Sequence, residues 1–124
     1  MNGPLLLQAL VPHYDRALMA ERWLRGQLGD AASAPEWGES VQRLLELPGV
    51  VVEQILSGSL EAPLDYRQDD DEWVVLLTGH AALVVGGEDV ELNAGDWLFL
   101  PAGVAHRLVA TAPGSSWLAV HVAR

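Results

Sequence analysis

The chain of 124 residues contains no cysteine and no lysine. The first absence excludes disulfides, thiolate metal ligands and cysteine nucleophiles together. The second excludes Schiff-base chemistry and a catalytic ammonium. Positive charge is scarce: seven basic residues, all arginine, stand against seventeen acidic ones, for a formal net charge of −10. A surface so acidic is unsuited to nucleic acid and to anionic membranes, so no nucleic-acid and no membrane partner is expected. Long apolar runs are missing as well, and none reaches the ~18 residues that a membrane-crossing helix needs. Met1 to Leu10 lack the basic start of a secretory signal, and a cytoplasmic location is the expectation. What is present is a hydrophobic half, including five tryptophans, enough for one core in one domain.

The periodicity changes near Pro48-Gly49. Upstream, Leu18, Met19, Trp23, Leu24 and Leu28 recur at helical spacing, with Asp15 as N-cap and Gly29 as stop. A second helix is predicted from Pro35, with Val41, Leu44 and Leu45 as its buried stripe, ending before Pro48. Residues 1–49 therefore read as a helical N-terminal extension and residues 50–124 as an all-β domain. In the latter, short apolar stretches at Val50–Leu56, Leu64–Gln68, Trp73–Leu77, His80–Val85, Val90–Leu92, Trp97–Leu100, Leu108–Ala112 and Trp117–Val122 alternate with turn residues. Many short strands with turns every eight to twelve residues predict a sandwich or barrel.

One string in this domain is especially informative. Gly95 is followed by five residues, Pro101, Ala102, Gly103, two residues and His106. Trp97–Leu100 is a strand, Pro101 removes a ladder donor, and Gly103 tolerates positive φ, so the chain folds back sharply. In the returning strand Val104, His106 and Leu108 share one face, with Arg107 and Val109 on the other. An imidazole is thus delivered to an apolar inner face. Upstream, Glu72 is followed by six residues and Gly79, and fifteen residues separate the two strings.

Gly95, Pro101, Gly103 and His106, with Glu72 and Gly79, resemble the two motifs of the cupin superfamily. The resemblance covers about residues 50 to 122. It implies a double-stranded β-helix, the RmlC-like jelly roll, with a site inside the barrel and a homodimer as the usual assembly. Metal-binding members usually carry H-x-H before the glutamate. Here that stretch is Tyr66-Arg67-Gln68, and Tyr66–Trp73 is similar to a group of small bacterial cupins with Y-x-Q in that place.

Tyr66, Gln68, Glu72 and His106 form the candidate site. In one reading Gln68, Glu72 and His106 hold a divalent metal (Zn, Mn, Fe or Ni) with open positions, a harder and weaker set than three histidines. Glu72 or Tyr66 would then move a proton, in an oxygenase, isomerase or decarboxylase type of reaction. In the other reading the pocket is metal-free, Glu72 accepts hydrogen bonds from its neighbours, and the barrel binds a small-molecule ligand. The remaining candidates are weaker. His13 falls in a loop and His80 follows a turn glycine. His121 shares a face with Trp117 and Ala119. Asp69–Asp71 reads as a solvated hairpin loop or an acidic rim, and Arg107 as the outward partner of a carboxylate. Trp73 and Trp97 read as packing within the sheet.

Overall fold

A computed structural model of the chain describes residues 4–6 and 23–124. Two short strands, β1 (Pro4–Leu6) and β2 (Trp23–Arg25), pair in parallel. A 3₁₀ turn at Ala31–Ser33 follows, capped by the Asp30 carboxylate, which accepts from the Ala32 amide at 2.9 Å. The rest is strand: β3 (Glu39–Leu47), β4 (Val50–Ser57), β5 (Leu64–Tyr66), β6 (Asp71–Thr78), β7 (His80–Val85), β8 (Glu88–Asn93), β9 (Trp97–Leu100), β10 (His106–Thr111) and β11 (Ser115–Val122). They form a five-stranded sheet in the order β3-β4-β11-β6-β9 and a four-stranded sheet in the order β5-β10-β7-β8. Every pair within these two sheets is antiparallel.

The two sheets bury their inner faces against each other. Val74, Leu76, Leu100, Trp117 and Ala119 come from one sheet and Ala81, Leu83, Leu92 and Leu108 from the other. The alternation along β6 is plain: Glu72, Val74 and Leu76 are buried, whereas Trp73, Val75 and Leu77 are only half-covered on the outside. Trp73 and Trp97 pack there as a tilted pair with centroids 6.2 Å apart, as the sequence led us to expect.

The predicted helix from Pro35 to Leu47 is not formed. Glu39–Leu47 is strand β3, paired along its length with β4 through the Pro48-Gly49 turn, where Gly49 has φ +74°. The misleading pattern has a local cause. The register shifts between Arg43 and Leu45, so the two-residue alternation breaks there and Val41, Leu44 and Leu45 mimic helical spacing. Of the earlier predicted helix, residues 15–22 lie outside the described residues, and Trp23 and Leu24 belong to β2. The extension therefore contributes a strand to the larger sheet. The segment before it is held by backbone contacts: Gly38 N–H donates to the Ser59 carbonyl at 2.8 Å and Ser59 N–H to that of Glu36 at 3.0 Å. A side chain at Gly58 would collide with the Pro35 carbonyl, its Cβ falling 1.9 Å away. Gln54, buried on the outer side of β4, clamps both backbone groups of Gly29, at 2.7 and 3.0 Å.

Candidate site in the barrel

The two sequence strings form adjoining corners. Gly79 ends β6 at φ +96°, and a Cβ there would lie 2.1 Å from the Ser115 hydroxyl, so glycine is required twice over. In the second string Val104 N–H closes the turn onto the Pro101 carbonyl at 3.1 Å, with Gly103 at φ +82°. Gly103 N–H also donates to the Gln68 carbonyl at 2.8 Å, and Ala102 N–H to the Asp71 carboxylate at 2.9 Å. The turn that delivers His106 is thus bolted to the segment that delivers Glu72.

Cross-strand register then decides what meets. His106 on β10 lies opposite Tyr66 on β5, and their rings stack at 5.5 Å with planes 17° apart. Glu72 on β6 lies opposite His121 on β11. Across the gap between the sheets, His106 Nε2 is 3.9 Å from Glu72 Oε1. These side chains line a cavity of about 120 Å³ together with Glu39, Glu53 and Gln68. Its apolar wall is Val74, Leu83, Leu100, Leu108 and Trp117.

The hydrogen bonds run in one direction, from neutral or cationic donors to carboxylates. Tyr66 donates its hydroxyl to Glu39 at 2.7 Å, and Ser57 donates to the other Glu39 oxygen. Trp117 Nε1 in turn donates to Ser57 at 3.0 Å. Gln68 Nε2 donates to Glu72 at 3.0 Å. His121 Nε2 lies 2.7 Å from Glu53 and 3.7 Å from Glu72, while its Nδ1 lies 3.3 Å from Asp70. His106 Nδ1 is 3.3 Å from the Val104 carbonyl, to which it donates, and Nε2 faces Glu72 across the cavity.

Burial and these partners set the charges. The hydrogen bond to Glu53 holds the His121 imidazolium up to about 9, with the charges of Glu72, Glu53 and Asp70 acting in the same sense against desolvation. Burial pushes the Glu72 carboxyl above the usual carboxylate range, opposed by His121, His106 and the Gln68 amide. Burial also raises the Tyr66 phenol, reinforced by its hydrogen bond to Glu39. Tyr66 is therefore a firm donor and no phenolate.

The Cupin domain family matches residues 51–121 of the chain, more than half of it. The chain is a cupin. Among solved structures, this cupin is 34% identical to a protein of Ralstonia eutropha JMP134 provisionally named a mannose-6-phosphate isomerase. That match covers 79% of this chain and 99% of the other, with a TM-score of 0.67. KdgF of a Halomonas species (18% identity, 70% and 82% covered, TM-score 0.60) shares the fold. So does an RmlC-like cupin of Shewanella frigidimarina NCIMB 400 (19%, 70% and 78%, 0.58). No curated protein matches the chain.

All four expected residues of this cupin, Tyr66, Gln68, Glu72 and His106, line the one cavity. His121, which the sequence placed only on the face of Trp117 and Ala119, joins them there. Glu39 and Glu53 gave no sequence signal, because nothing short of the β3–β4–β11 register places them beside Tyr66 and His121. His80 is exposed at the start of β7, and His13 lies outside the described residues. The acidic run is neither a free rim nor a free loop. Asp70 faces His121, and Asp71 accepts from Ala102 N–H and from Arg124 at 3.0 Å. Arg107 points outward and forms a two-pronged pair with Asp65 at 2.6 and 3.2 Å.

The fold raises the question of a divalent metal, and the orientation of the donors answers it. His121 Nε2 is taken up by Glu53, and its Nδ1 lies between Asp70 at 3.3 Å and the Gln68 amide nitrogen at 3.5 Å. Gln68 turns its NH₂ group, not its carbonyl, toward Glu72. Of the predicted set only His106 Nε2 and Glu72 approach each other, at 3.9 Å, fewer than the three or four protein ligands of a zinc site. Among the described residues no group of three or more His, Asp or Glu has the geometry to hold a metal ion. The donor set as arranged does not fit a resident divalent cation. Among the described residues, also, no helix is long and apolar enough to cross a membrane.

Proposed function

We propose that this cupin binds a compact, hydroxyl-bearing organic molecule in the barrel cavity. The observation that carries the reading is the excess of carboxylate acceptors: Glu39, Glu53 and Glu72 face one space of about 120 Å³ beside His106. No arginine lines that space and three glutamates outnumber its two histidines, so it disfavours a ligand carboxylate or phosphate. A ligand rich in O–H or N–H donors matches it, and the apolar wall accommodates its carbon skeleton. The volume is of the order of the ~150 Å³ cavity that admits benzene, which selects a short polyol or hydroxy-carbonyl compound over a nucleotide.

A panel of short polyols, hydroxy-ketones, amines and carboxylic acids, followed by NMR shifts of the cavity residues, tests this. Donor-rich compounds are expected to perturb His106 and Glu72, with the response lost in Glu72→Leu. Preferential binding of the carboxylic acids would sink the reading.

A second reading, an isomerase-type enzyme, is favoured by the Ralstonia relative's name and by the buried Glu72 beside His106. Glu72 would take a proton from the hydroxyl-bearing carbon next to a carbonyl and return it to the carbonyl carbon, while the hydroxyl proton passes to the carbonyl oxygen. Exchange of solvent deuterium into a bound hydroxy-ketone, abolished in Glu72→Gln, is its signature. For assembly we propose the homodimer, with the exposed Trp97 and Phe99 of edge strand β9 as the surface a second copy covers. Light scattering of the wild type against Phe99→Glu distinguishes dimer from monomer.

A further inference from the structure

We propose that the groove on the outer face of the four-stranded sheet is a second binding site, for the carboxylate of a small organic acid, with Arg67 and Arg107 as the cations that hold it. The site is separate from the cavity and does not depend on what the cavity takes.

Strand alternation places the two arginines. Tyr66 and His106 turn inward, so Asp65, Arg67 and Arg107 stand on the outer face. Arg107 lies opposite Asp65, and His106 opposite Tyr66, so one register step further Arg67 comes level with Ala105. Arg67 and Arg107 are therefore diagonal neighbours, a separation of roughly 7–8 Å in an ordinary sheet, which long side chains span. Little side chain fills the space beside them. Ala105 is small, and Gly87 stands in the β7–β8 turn, where Gly86 and Gly87 have φ +55° and +84°. Gly86 N–H donates to the Ala105 carbonyl at 3.1 Å and ties that turn to the start of β10. Val84, opposite Arg107 on β7, supplies an apolar floor. The result is an open groove of about 480 Å³.

Its charge is the reverse of the protein's. The chain carries −10, and seventeen acids are available to seven arginines. Arg43 pairs with Glu46, Arg124 with Asp71 and Arg107 with Asp65. Arg67 has no carboxylate partner among the described residues, so the groove holds two guanidinium groups against the single carboxylate of Asp65. That carboxylate takes up Arg107 Nε and Nη2 and leaves the Nη1 hydrogens for another acceptor. It also fixes the plane of the guanidinium, a fork that matches a carboxylate in shape. Two guanidinium groups on diagonal positions repel, and an oxyanion between them turns the repulsion into attraction. The excess is one positive charge, which a monocarboxylate balances, and the Val84 floor suits a short carbon chain. Tyr66 and His106 border both spaces, so the stacked pair divides carboxylates that face donors from guanidinium groups that face an acid.

Butyrate, its neutral counterpart 1-butanol and inorganic phosphate are titrated separately into the full chain. NMR follows the Arg67 and Arg107 Nε–H groups and the Gly87 amide, with Glu72 as reporter of the cavity. Butyrate is expected to move the groove signals saturably, with a Kd of about 1 mM, and 1-butanol to leave them in place. Arg67→Ala and Arg107→Ala, both at exposed positions where folding tolerates change, are each expected to weaken butyrate roughly 10-fold. Groove signals that stay unmoved at about 50 mM butyrate, far above that Kd, overturn the proposal. So do signals that 1-butanol moves equally, or a butyrate response that survives Arg67→Ala undiminished. Phosphate binding more tightly than butyrate overturns the assignment to an organic acid. The compounds that test the cavity read out at Glu72 and butyrate at Gly87, so either reading can fail with the other intact.

Discussion

The two sheets that face each other across the cavity are chemically unequal. The five-stranded sheet supplies Glu39, Glu53, Glu72 and His121, all the groups there that carry full charge. The four-stranded sheet supplies the stacked rings of Tyr66 and His106. The difference teaches where cohesion and recognition are divided. Charges on one sheet are tied to each other by register, across β4, β11 and β6, and so are compensated before any ligand arrives. The rings on the other sheet are joined to that cluster by few bonds, chiefly Tyr66 to Glu39.

The inequality can be broken most severely on the charged side. His121→Leu removes the one cation from three carboxylates, and since it is largely buried the expected loss is about 3–5 kcal/mol in urea unfolding. A loss below about 1 kcal/mol would mean that the cluster is solvated and the comparison false. Titration draws on a part of the same energy without mutation. His121 is held above its ordinary value, so its contribution is complete below about 6.5 and fades as the pH rises through about 9. Stability of the wild type is expected to fall across that window, and that of His121→Leu to stay flat there.

The neutral side should be less sensitive. Tyr66→Phe keeps the stack on His106 and deletes the bond to Glu39, which retains Ser57 as donor, so about 1 kcal/mol is expected. A loss as large as that of His121→Leu would make the two sides equal. The smallest effect belongs to the outer surface of the same sheet. Arg107→Ala breaks an exposed ion pair with Asp65, and no resolvable shift of the urea midpoint is expected.

Much of the barrel was legible because its signals are local. Turn glycines, Pro101 and two-residue alternation locate β4 and β6 to β11 to within a few residues. The glycines at 79 and 103 occupy backbone conformations that other residues rarely adopt. The helical reading of 35–47 failed because a bulge erased the alternation of β3 and because the open edge of β4 offered a full ladder of partners. Local propensity cannot register an edge that exists only after folding.

The site divides in the same way. By itself the sequence determined the short strands, the turns between them and His106 on an inward face, since strand alternation operates over a few residues, and its motif resemblance added the jelly roll and Glu72. It also determined that no cysteine or lysine takes part. Only the tertiary structure decided that Glu39, Glu53 and His121 join them, because that depends on pairing between strands up to sixty or more residues apart, as for His121 with Glu53. Tertiary structure also decided which partners Tyr66 and Gln68 meet. A side chain's composition permits it to ligate or to donate, and the carboxylates that surround it determine which.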